Sequence, residues 1–312
     1  MESIVTLTPN PAIDISTSVD DVVPVRKLRC AEARRDPGGG GINVARVVRR
    51  LGGAVSAIYP AGGATGELLR RLVAREGIQG VAIPVMEETR ENFTVLEQKS
   101  AQQYRFVLPG SPLSEPEWRA CLDALEAMET APPFIVCSGS LPPGVPDDFY
   151  ARVARFAKAR GSKVVLDTSG KPLACALREG VCLLKPNLRE LQELANVPLA
   201  DEQSWLAAGR RLIESGAAEI IALTLAERGS LLMTRDGALR ASVPDVKVVS
   251  TVGAGDSFVG GLVWALAGGR STVEALKWGV AAGTAAVLNP GTELCHADDV
   301  VRLFEQVKPM RV

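Results

Sequence analysis

Short runs of consecutive apolar residues recur along the chain and predict strands that are buried on both faces. Each run is apolar through its whole length instead of alternating with polar residues, which is typical of parallel strands covered by helices. The runs lie at residues 4–7, 134–137, 163–166, 182–184 and 219–223.

Between these runs lie segments whose apolar residues recur every three or four positions, as on one face of an amphipathic helix. They cover residues 42–51, 66–76, 115–128, 147–159, 202–214 and 256–267. This alternation predicts an α/β fold with a parallel sheet and helices on both faces. Because ligands of such sheets bind beyond the carboxyl ends of the strands, we expect a site in the loops at residues 138–140, 167–170, 185–187 and 224–226.

Two regions do not follow this alternation of buried strands and amphipathic helices. Residues 13–35 and 89–107 alternate partly between apolar and polar positions, and a polar turn at residues 99–103 separates two of the runs. The pattern predicts a small sheet outside the core, formed by inserted segments at about residues 13–36 and 89–108. No repeat or linker divides the chain, so we expect a single domain spanning residues 1–312.

Composition and charge exclude several functional classes. The 35 basic and 36 acidic residues nearly cancel, so no overall field attracts nucleic acid or an anionic membrane. Six cysteines without a C-x-x-C pair favour a reducing cytoplasm and no structural zinc. The first residues do not resemble a secretion signal, and no apolar run reaches the roughly 18 residues of a membrane span. His296 is the only histidine, which argues against histidine-based triads and metal sites.

A small-residue turn at residues 251–258, T-V-G-A-G-D-S-F, runs into an apolar helical segment. Gly253 and Gly255 allow close approach of a ligand to the backbone, and free N–H groups at a helix start attract anions. Asp256 could accept a proton from an alcohol that attacks a phosphoryl group. The alternative is that Asp256 only caps the helix.

A second glycine run, G-G-G-G-I-N at residues 38–43, precedes another helical segment. It is either a plain flexible turn or a ligand-binding turn in which the amide of Asn43 bonds sugar hydroxyls. Neither glycine segment is a Walker A or a Rossmann sequence, and protein-kinase signatures are absent.

Asp14 follows T-P-N-P-A-I directly after the first predicted strand. Prolines there end the strand and direct the chain outward. The carboxylate could accept two sugar hydroxyls, although an aspartate in such a position also caps turns.

The chain resembles the ribokinase-like carbohydrate kinase family over essentially its whole length. Five segments, which follow one another in the family's order, carry this resemblance. They are T-P-N-P-A-I-D at 8–14, P-G-G-G-G-I-N-V-A-R at 37–46, S-G-S-L-P at 138–142, K-P-N at 185–187 with Glu190, and T-V-G-A-G-D-S at 251–257. The resemblance implies a three-layer α/β/α fold with a mostly parallel central sheet and a small β-sheet lid.

Within this family the chain is most similar to the phosphosugar branch, and there to the 6-phosphofructokinase type. Relatives that act as 1-phosphofructokinase or tagatose-6-phosphate kinase usually have a lysine inside the glycine run, where this chain has Gly40. Residues 27–30, 61–67 and 103–107 also resemble the 6-phosphofructokinase type.

The resemblance implies roles for residues near the two reacting groups. Asp256 would be the general base, with N–H groups of Gly253, Ala254 and Gly255 facing the transferred phosphoryl. Sugar and its phosphate would be held by the following residues: Asp14, Gly39, Gly40, Asn43, Lys27, Arg29, Arg90, Arg105, Ser138 and Ser140. For each of the four cations, a solvated surface charge remains the alternative.

The resemblance also implies a nucleotide site and metal ions. Asn187 and Glu190 would hold Mg²⁺ through water, or else would only cap a helix. ATP would contact Lys185, Asn187, Thr224, Ala226, Gly229 and Gly255, although relatives usually carry glycine at position 226. A K⁺ loop would involve Ser250, Val252, Ala286, Asn289 and Gly291.

We therefore expect an ATP- and Mg²⁺-dependent kinase that converts fructose 6-phosphate to fructose 1,6-bisphosphate. The alternatives are a tagatose-6-phosphate kinase or a 1-phosphofructokinase, and, in a different class, a noncatalytic sensor of sugar phosphate or nucleotide. An apolar face of the small sheet and the resemblance together imply a homodimer formed through the lid.

Overall fold

The computed structural model describes residues 4–312, which form fourteen strands and ten α-helices. The strands are β1 (Ile4–Leu7), β2 (Ala12–Val19), β3 (Arg34–Gly38), β4 (Val55–Ala61), β5 (Gln79–Pro84), β6 (Arg90–Glu97), β7 (Gln103–Val107), β8 (Phe134–Ser138), β9 (Lys163–Asp167), β10 (Val181–Leu184), β11 (Ala218–Thr224), β12 (Ser230–Thr234), β13 (Gly237–Ala241) and β14 (Met310–Arg311). The helices are α1 (Gly40–Arg50), α2 (Gly63–Arg75), α3 (Glu115–Glu126), α4 (Phe149–Ala159), α5 (Gly170–Leu177), α6 (Leu188–Ala195), α7 (Glu202–Glu214), α8 (Ala254–Ala267), α9 (Thr272–Ala286) and α10 (Ala297–Phe304).

The larger sheet has ten strands in the order β14-β13-β12-β11-β10-β9-β8-β1-β4-β5. The seven strands from β11 to β5 are parallel, and β12, β13 and β14 continue the sheet with antiparallel pairing. All five strands predicted from apolar runs lie in the parallel part. The sheet is thus mostly parallel, as predicted.

Alternate residues of the strands face two separate apolar cores, one on each side of the sheet. In β1, Ile4 packs into the core that contains α1, α8 and α9, while Val5 and Leu7 pack into the core that contains α4 and α7. Each parallel strand is covered on both faces, which explains its continuous apolar sequence. The predicted three-layer α/β/α architecture is confirmed.

A four-stranded sheet in the order β3-β2-β6-β7 stands apart from the larger one. Its strands come from the two segments predicted for it, with β3 extending to Gly38. Within this sheet, Asp14 of β2 lies opposite Asp36 of β3 and Asn92 of β6. The expectation of strand structure throughout residues 13–35 was wrong for residues 20–33, which form a mostly exposed loop, because Pro24 and the charged residues interrupt the alternation that a strand needs.

Two further findings bear on the expectations from composition. All six cysteines are unpaired, and burial raises the pKa of the Cys121 thiol to about 12, which keeps it protonated and unreactive. Over residues 4–312, no helix has the length and apolar character needed to cross a membrane.

Candidate active site

The carboxyl ends of the parallel strands bring distant chain segments to one edge of the larger sheet. β8 ends at Ser138, β9 at Asp167 and β11 at Thr224, and Lys185 follows β10 directly. At the same edge the chain leaves β1 toward the small sheet. The loops predicted to carry a site therefore do meet there.

Close packing of α1 against α8 places their first turns side by side. Gly260 of α8 lies so near Val47 of α1 that an added Cβ would be 2.6 Å from the Val47 Cβ. At the first turns, Asn43 Nδ2 donates a hydrogen bond of 2.9 Å to Asp256 Oδ2. The two glycine segments singled out in the sequence thus form one site.

Asp256 has an unusually basic carboxyl group. Loss of hydration at this half-buried position and the negative charge of Asp167 raise its pKa to about 7, with a smaller contribution from Asp14. The hydrogen bond from Asn43 and the charge of Lys185 act in the opposite direction. A carboxylate with a pKa near neutrality suits a general base.

The glycines around Asp256 and Asp14 have positions that a residue with a Cβ could not easily occupy. Gly253, the residue before α8, has φ of 75°, a left-handed conformation that favours glycine. A Cβ on Gly38 would lie 2.3 Å from Asp14 Oδ2, and a Cβ on Gly39 would lie 2.7 Å from Thr8 Cγ2. A Cβ on Gly40 would lie 2.1 Å from Ser138 Oγ.

Asp14 lies on the small sheet, where it faces the site. Burial raises its pKa, whereas a hydrogen bond of 2.9 Å from Asn92 Nδ2 to Asp14 Oδ1 and the charges of nearby arginines lower it. Arg90 and Arg105 are two of these arginines. Asn92 was missed from the sequence because its role depends on the pairing of β2 with β6.

The four predicted cations fall into two groups. Arg90 is half-buried and donates hydrogen bonds to the main-chain oxygens of Asn10, Pro11 and Leu108. Arg105 is exposed but close enough to lower the pKa of Asp14. Lys27 and Arg29 lie in the exposed 20–33 loop, and their role in phosphate binding stays a prediction.

The two predicted serines differ in exposure. Ser138 is buried beside Gly40, whereas Ser140 is exposed and its hydroxyl accepts a hydrogen bond of 3.2 Å from Asn10 Nδ2. Asn10 therefore connects the turn before Asp14 with the turn after β8. It was not predicted as a site residue, although it lies in the T-P-N-P segment.

A pocket of about 850 Å³ adjoins the Asp256 turn. Its lining includes the predicted residues Asn187, Thr224, Ala226, Gly229, Ala254 and Gly255. Apolar side chains that the sequence analysis missed line the rest, among them Val243, Val246, Val280 and Val287. Ala226 has φ of 52°, a left-handed conformation that explains why relatives carry glycine at this position.

A buried ion pair lies beside Asp256. Lys185 Nζ is 2.8 Å from Asp167 Oδ1, and the two side chains are only 10% and 13% exposed. Although burial alone would lower the pKa of Lys185, Asp167 and the neighbouring Glu190 and Asp256 raise it. Asp167 stood in a loop expected at this edge, but nothing in the sequence marked it as a partner of Lys185.

Asn187 and Glu190 form a reciprocal cap at the start of α6. Asn187 Oδ1 accepts from the Glu190 main-chain N–H at 2.9 Å, and Glu190 Oε2 accepts from the Asn187 N–H at 2.8 Å. The capping alternative is therefore realised, yet one carboxylate oxygen of Glu190 is outside the cap. Oxygen ligands at the pocket edge fit a hydrated Mg²⁺ ion.

The residues predicted to form a K⁺ loop lie in two adjoining segments. The N–H groups of Val249 and Ser250 donate to the main-chain oxygen of Val287. Asn289 closes the second segment by donating to the main-chain oxygens of Ala285 and Leu294. Ser250, Val252, Asn289 and Gly291 lie in these two segments, and Ala286 is the last residue of α9, just before the second segment.

Residues 7–299 match the pfkB family carbohydrate kinases. The chain belongs to this family. It is 48% identical over 302 residues to the ATP-dependent 6-phosphofructokinase isozyme 2 of Mycobacterium tuberculosis, with 97% of this chain and 89% of the relative covered. The corresponding Escherichia coli isozyme is 40% identical over 305 residues, with 97% and 98% covered.

The fold of this pfkB family kinase also matches solved structures. Escherichia coli phosphofructokinase-2 in complex with potassium has a TM-score of 0.94 at 40% identity, covering 98% of this chain and 99% of the other. The same enzyme in complex with fructose 6-phosphate has a TM-score of 0.93 at 38% identity, with the same coverage. The kinase family accounts for the juxtaposition of a nucleotide-sized pocket with Asp256.

Proposed function

We propose that this pfkB family kinase is an ATP-dependent 6-phosphofructokinase that transfers a phosphoryl group to O1 of fructose 6-phosphate. The observation that carries the proposal is the contact between Asp256 and Asn43 at the end of the large pocket. There a base of raised pKa lies between the nucleotide side and the small sheet with Asp14. The similarity to 6-phosphofructokinases supports the choice of sugar.

In this proposal Asp256 accepts the proton of the O1 hydroxyl while that oxygen attacks the terminal phosphorus of ATP. A bond forms between O1 and phosphorus as the bond to the ADP oxygen breaks, giving fructose 1,6-bisphosphate and ADP. The N–H groups of Gly253, Ala254 and Gly255 at the start of α8 would face the charge on the transferred group. For Ala254 this contact would replace a long hydrogen bond of 3.4 Å to the main-chain oxygen of Thr251.

On the nucleotide side, Lys185 supplies a cation, and Asn187, Thr224, Ala226 and Gly229 line the pocket for ATP. Asn187 and Glu190 would hold the waters of Mg²⁺, which offsets phosphate charge when it is bound. The potassium complex of the Escherichia coli enzyme supports K⁺ binding by this kinase, and we assign the ion to the segments around residues 249–252 and 286–291.

On the sugar side, Asp14, Gly39 and Asn43 bind hydroxyls, and Arg90 and Arg105 attract the existing phosphate. Ser138 and Ser140 extend this site from the turn after β8. Lys27 and Arg29 are further candidates for the phosphate, and both lie in the exposed 20–33 loop. A lysine in place of Gly40 would require movement of Ser138, which disfavours the alternatives with a lysine-containing glycine run.

Substrate choice is tested by ADP release with Mg²⁺ and K⁺ present. The panel contains fructose 6-phosphate, fructose 1-phosphate, tagatose 6-phosphate, fructose, ribose and adenosine. We expect the highest kcat/KM for fructose 6-phosphate, because the arginines favour a phosphorylated sugar and the relatives at 40–48% identity are 6-phosphofructokinases. A higher value for any other sugar refutes the substrate assignment, and binding of both ligands without ADP release points to a sensor.

We also propose that the protein is a cytoplasmic homodimer that associates through the lid, the sheet of β3, β2, β6 and β7. β7 is an edge strand. Apolar side chains in it, directly after it and in the 20–33 loop are exposed: Val25, Leu28, Phe106, Val107 and Leu108. Exposed apolar side chains beside an unpaired strand edge are typical of a partner surface.

Light scattering tests the dimer with two matched variants. Val107→Asp places a charge on the exposed lid edge and should halve the measured mass, because burying that charge without a partner opposes association. Val301→Asp introduces the same change at an equally exposed position of α10 and should leave the mass unchanged. A monomeric wild type, or a dimer that persists in Val107→Asp, contradicts association through the lid.

A further inference from the structure

Arg46 of α1 is a charged residue that is fully buried: its side chain is 0% exposed. Its guanidinium is held by carboxylates on two sides. Nε donates to Glu76 Oε1 at 2.9 Å, and Nη2 donates to Asp36 Oδ1 at 3.3 Å. Asp36 belongs to β3 of the lid, so the arginine connects the lid to the core.

The remaining guanidinium nitrogen faces main-chain and amide oxygens. Nη1 shares its two hydrogens among three acceptors: the carbonyl of Thr292 at 2.8 Å, the carbonyl of Pro37 at 3.2 Å and, as the longest contact, Asn43 Oδ1 at 3.4 Å. A guanidinium carries only donors. The group of Asn43 that faces it must therefore be the amide oxygen, since the amide nitrogen would meet a second donor.

Because the amide oxygen of Asn43 faces Arg46, the amide nitrogen on the other side of the group must face Asp256. Its distance to Asp256 Oδ2 is 2.9 Å. The opposite orientation would set the amide oxygen against the Asp256 carboxylate and the amide nitrogen against the guanidinium. Both contacts would then be repulsive.

We propose that Arg46 is a positioning residue for the transfer reaction: it fixes the Asn43 amide so that its N–H group, and not its oxygen, faces Asp256. The effect on the base has a definite sign. Donation from Asn43 lowers the pKa of Asp256 and so opposes the increase caused by burial. The inference deepens the proposed function, because it assumes that Asp256 acts as the base.

Other charged groups face Asp256 from every neighbouring element and must be separated from this effect. Asp167 at the end of β9 and Asp14 of β2 raise the pKa of Asp256, while Lys185 after β10 lowers it. Arg46 does not contact any of these three side chains through a hydrogen bond, although its charge lowers the pKa of Asp14. Because Arg46→Lys keeps that charge, its effect is expected to pass through Asn43.

The test compares Arg46→Lys with Arg50→Lys by measuring kcat/KM against pH. Arg50 is the matched control, since it lies one turn later in α1 and shares Glu76 but does not contact Asn43. Wild type should lose activity below pH 7, where Asp256 becomes protonated. In Arg46→Lys the acidic limb should move upward by about 0.5–1 unit, the value of one hydrogen bond, with recovery at higher pH.

Arg50→Lys should lose stability without moving the acidic limb. Should Arg46→Lys fail to fold, Asp36→Asn is the second variant, because it removes a carboxylate that holds the guanidinium while leaving Asn43 and Asp256 intact. We expect an upward shift there as well. Equal loss of activity at all pH values, with the limb unmoved, assigns Arg46 a purely structural role and overturns the inference.

A measurement without turnover separates this inference from the proposed function. The side-chain amide signals of Asn43 in ¹⁵N–¹H spectra, identified by their loss in Asn43→Ser, should shift with pH in wild type and in Arg50→Lys but not in Asp256→Asn. In Arg46→Lys the response should be reduced. Unchanged Asn43 signals across the Asp256 titration refute the inference whatever sugar the enzyme phosphorylates.

Discussion

Asp256→Asn should lower kcat by at least about 100-fold, the usual contribution of a general base. The change keeps the shape of the side chain and an oxygen that can accept from Asn43, so we expect α8 and its first turn to remain in place. The lost property is the ability to take a proton. Steady-state kinetics with saturating ATP and fructose 6-phosphate measure the effect on kcat.

Binding and pH dependence serve as controls for Asp256→Asn. Both ligands should bind the variant with affinities close to those of wild type, as measured by calorimetry. Its residual rate should no longer fall between about pH 8 and pH 6, because the group that titrates near 7 has been removed. Near-normal turnover, or an unchanged acidic limb, would rule out Asp256 as the base.

Lys185→Met should damage both stability and transfer. It leaves Asp167 as a buried carboxylate without its partner at 2.8 Å, and breaking a buried pair in this way costs about 3–5 kcal/mol of unfolding free energy. It also removes a cation expected near the transferred phosphoryl, so kcat/KM should fall by about 10²–10³-fold. Denaturant unfolding and steady-state kinetics measure the two losses separately.

The double variant Asp167→Asn with Lys185→Met distinguishes the two roles of the lysine. Neutralising the stranded carboxylate should restore most of the unfolding free energy, since no unpaired charge remains. Activity should stay low, because the cation is still missing. Recovery of activity in the double variant would mean that Lys185 serves only as the counter-ion of Asp167.

The parallel part of the fold could be predicted where burial is complete on both faces. β1, β8 and β9 have continuous apolar sequences because helices cover both sides. β4 is an exception, because it is buried throughout but Ser56 and Pro60 interrupt its apolar sequence. β5 was missed because it is a half-exposed edge strand containing Gly80 and Pro84. Edge strands lack the burial that produces a recognisable pattern.

Those parts of the site could be predicted in which the backbone conformation or close packing requires a particular residue type. The glycines next to Asn43 and Asp256 reflect close approach and left-handed backbone, which sequence displays directly. Arg46 carries no such mark, because an arginine in an amphipathic helix is typical of the solvent face. Its burial depends on Asp36 and Glu76, and their approach is decided by tertiary packing alone.

The hydrogen bond between Asn43 and Asp256 joins residues 213 positions apart. During translation, the residues of the sugar-binding side, such as Asn43, are therefore synthesised long before the base, Asp256. β1 must likewise wait for β8, which pairs Ile4 with Phe134, and until then its edge lacks a native partner. Such late closure slows folding and exposes nascent chains to aggregation. An interrupted chain that stops before α8 would hold sugar contacts but no proton acceptor, so incomplete translation products should not turn over ATP.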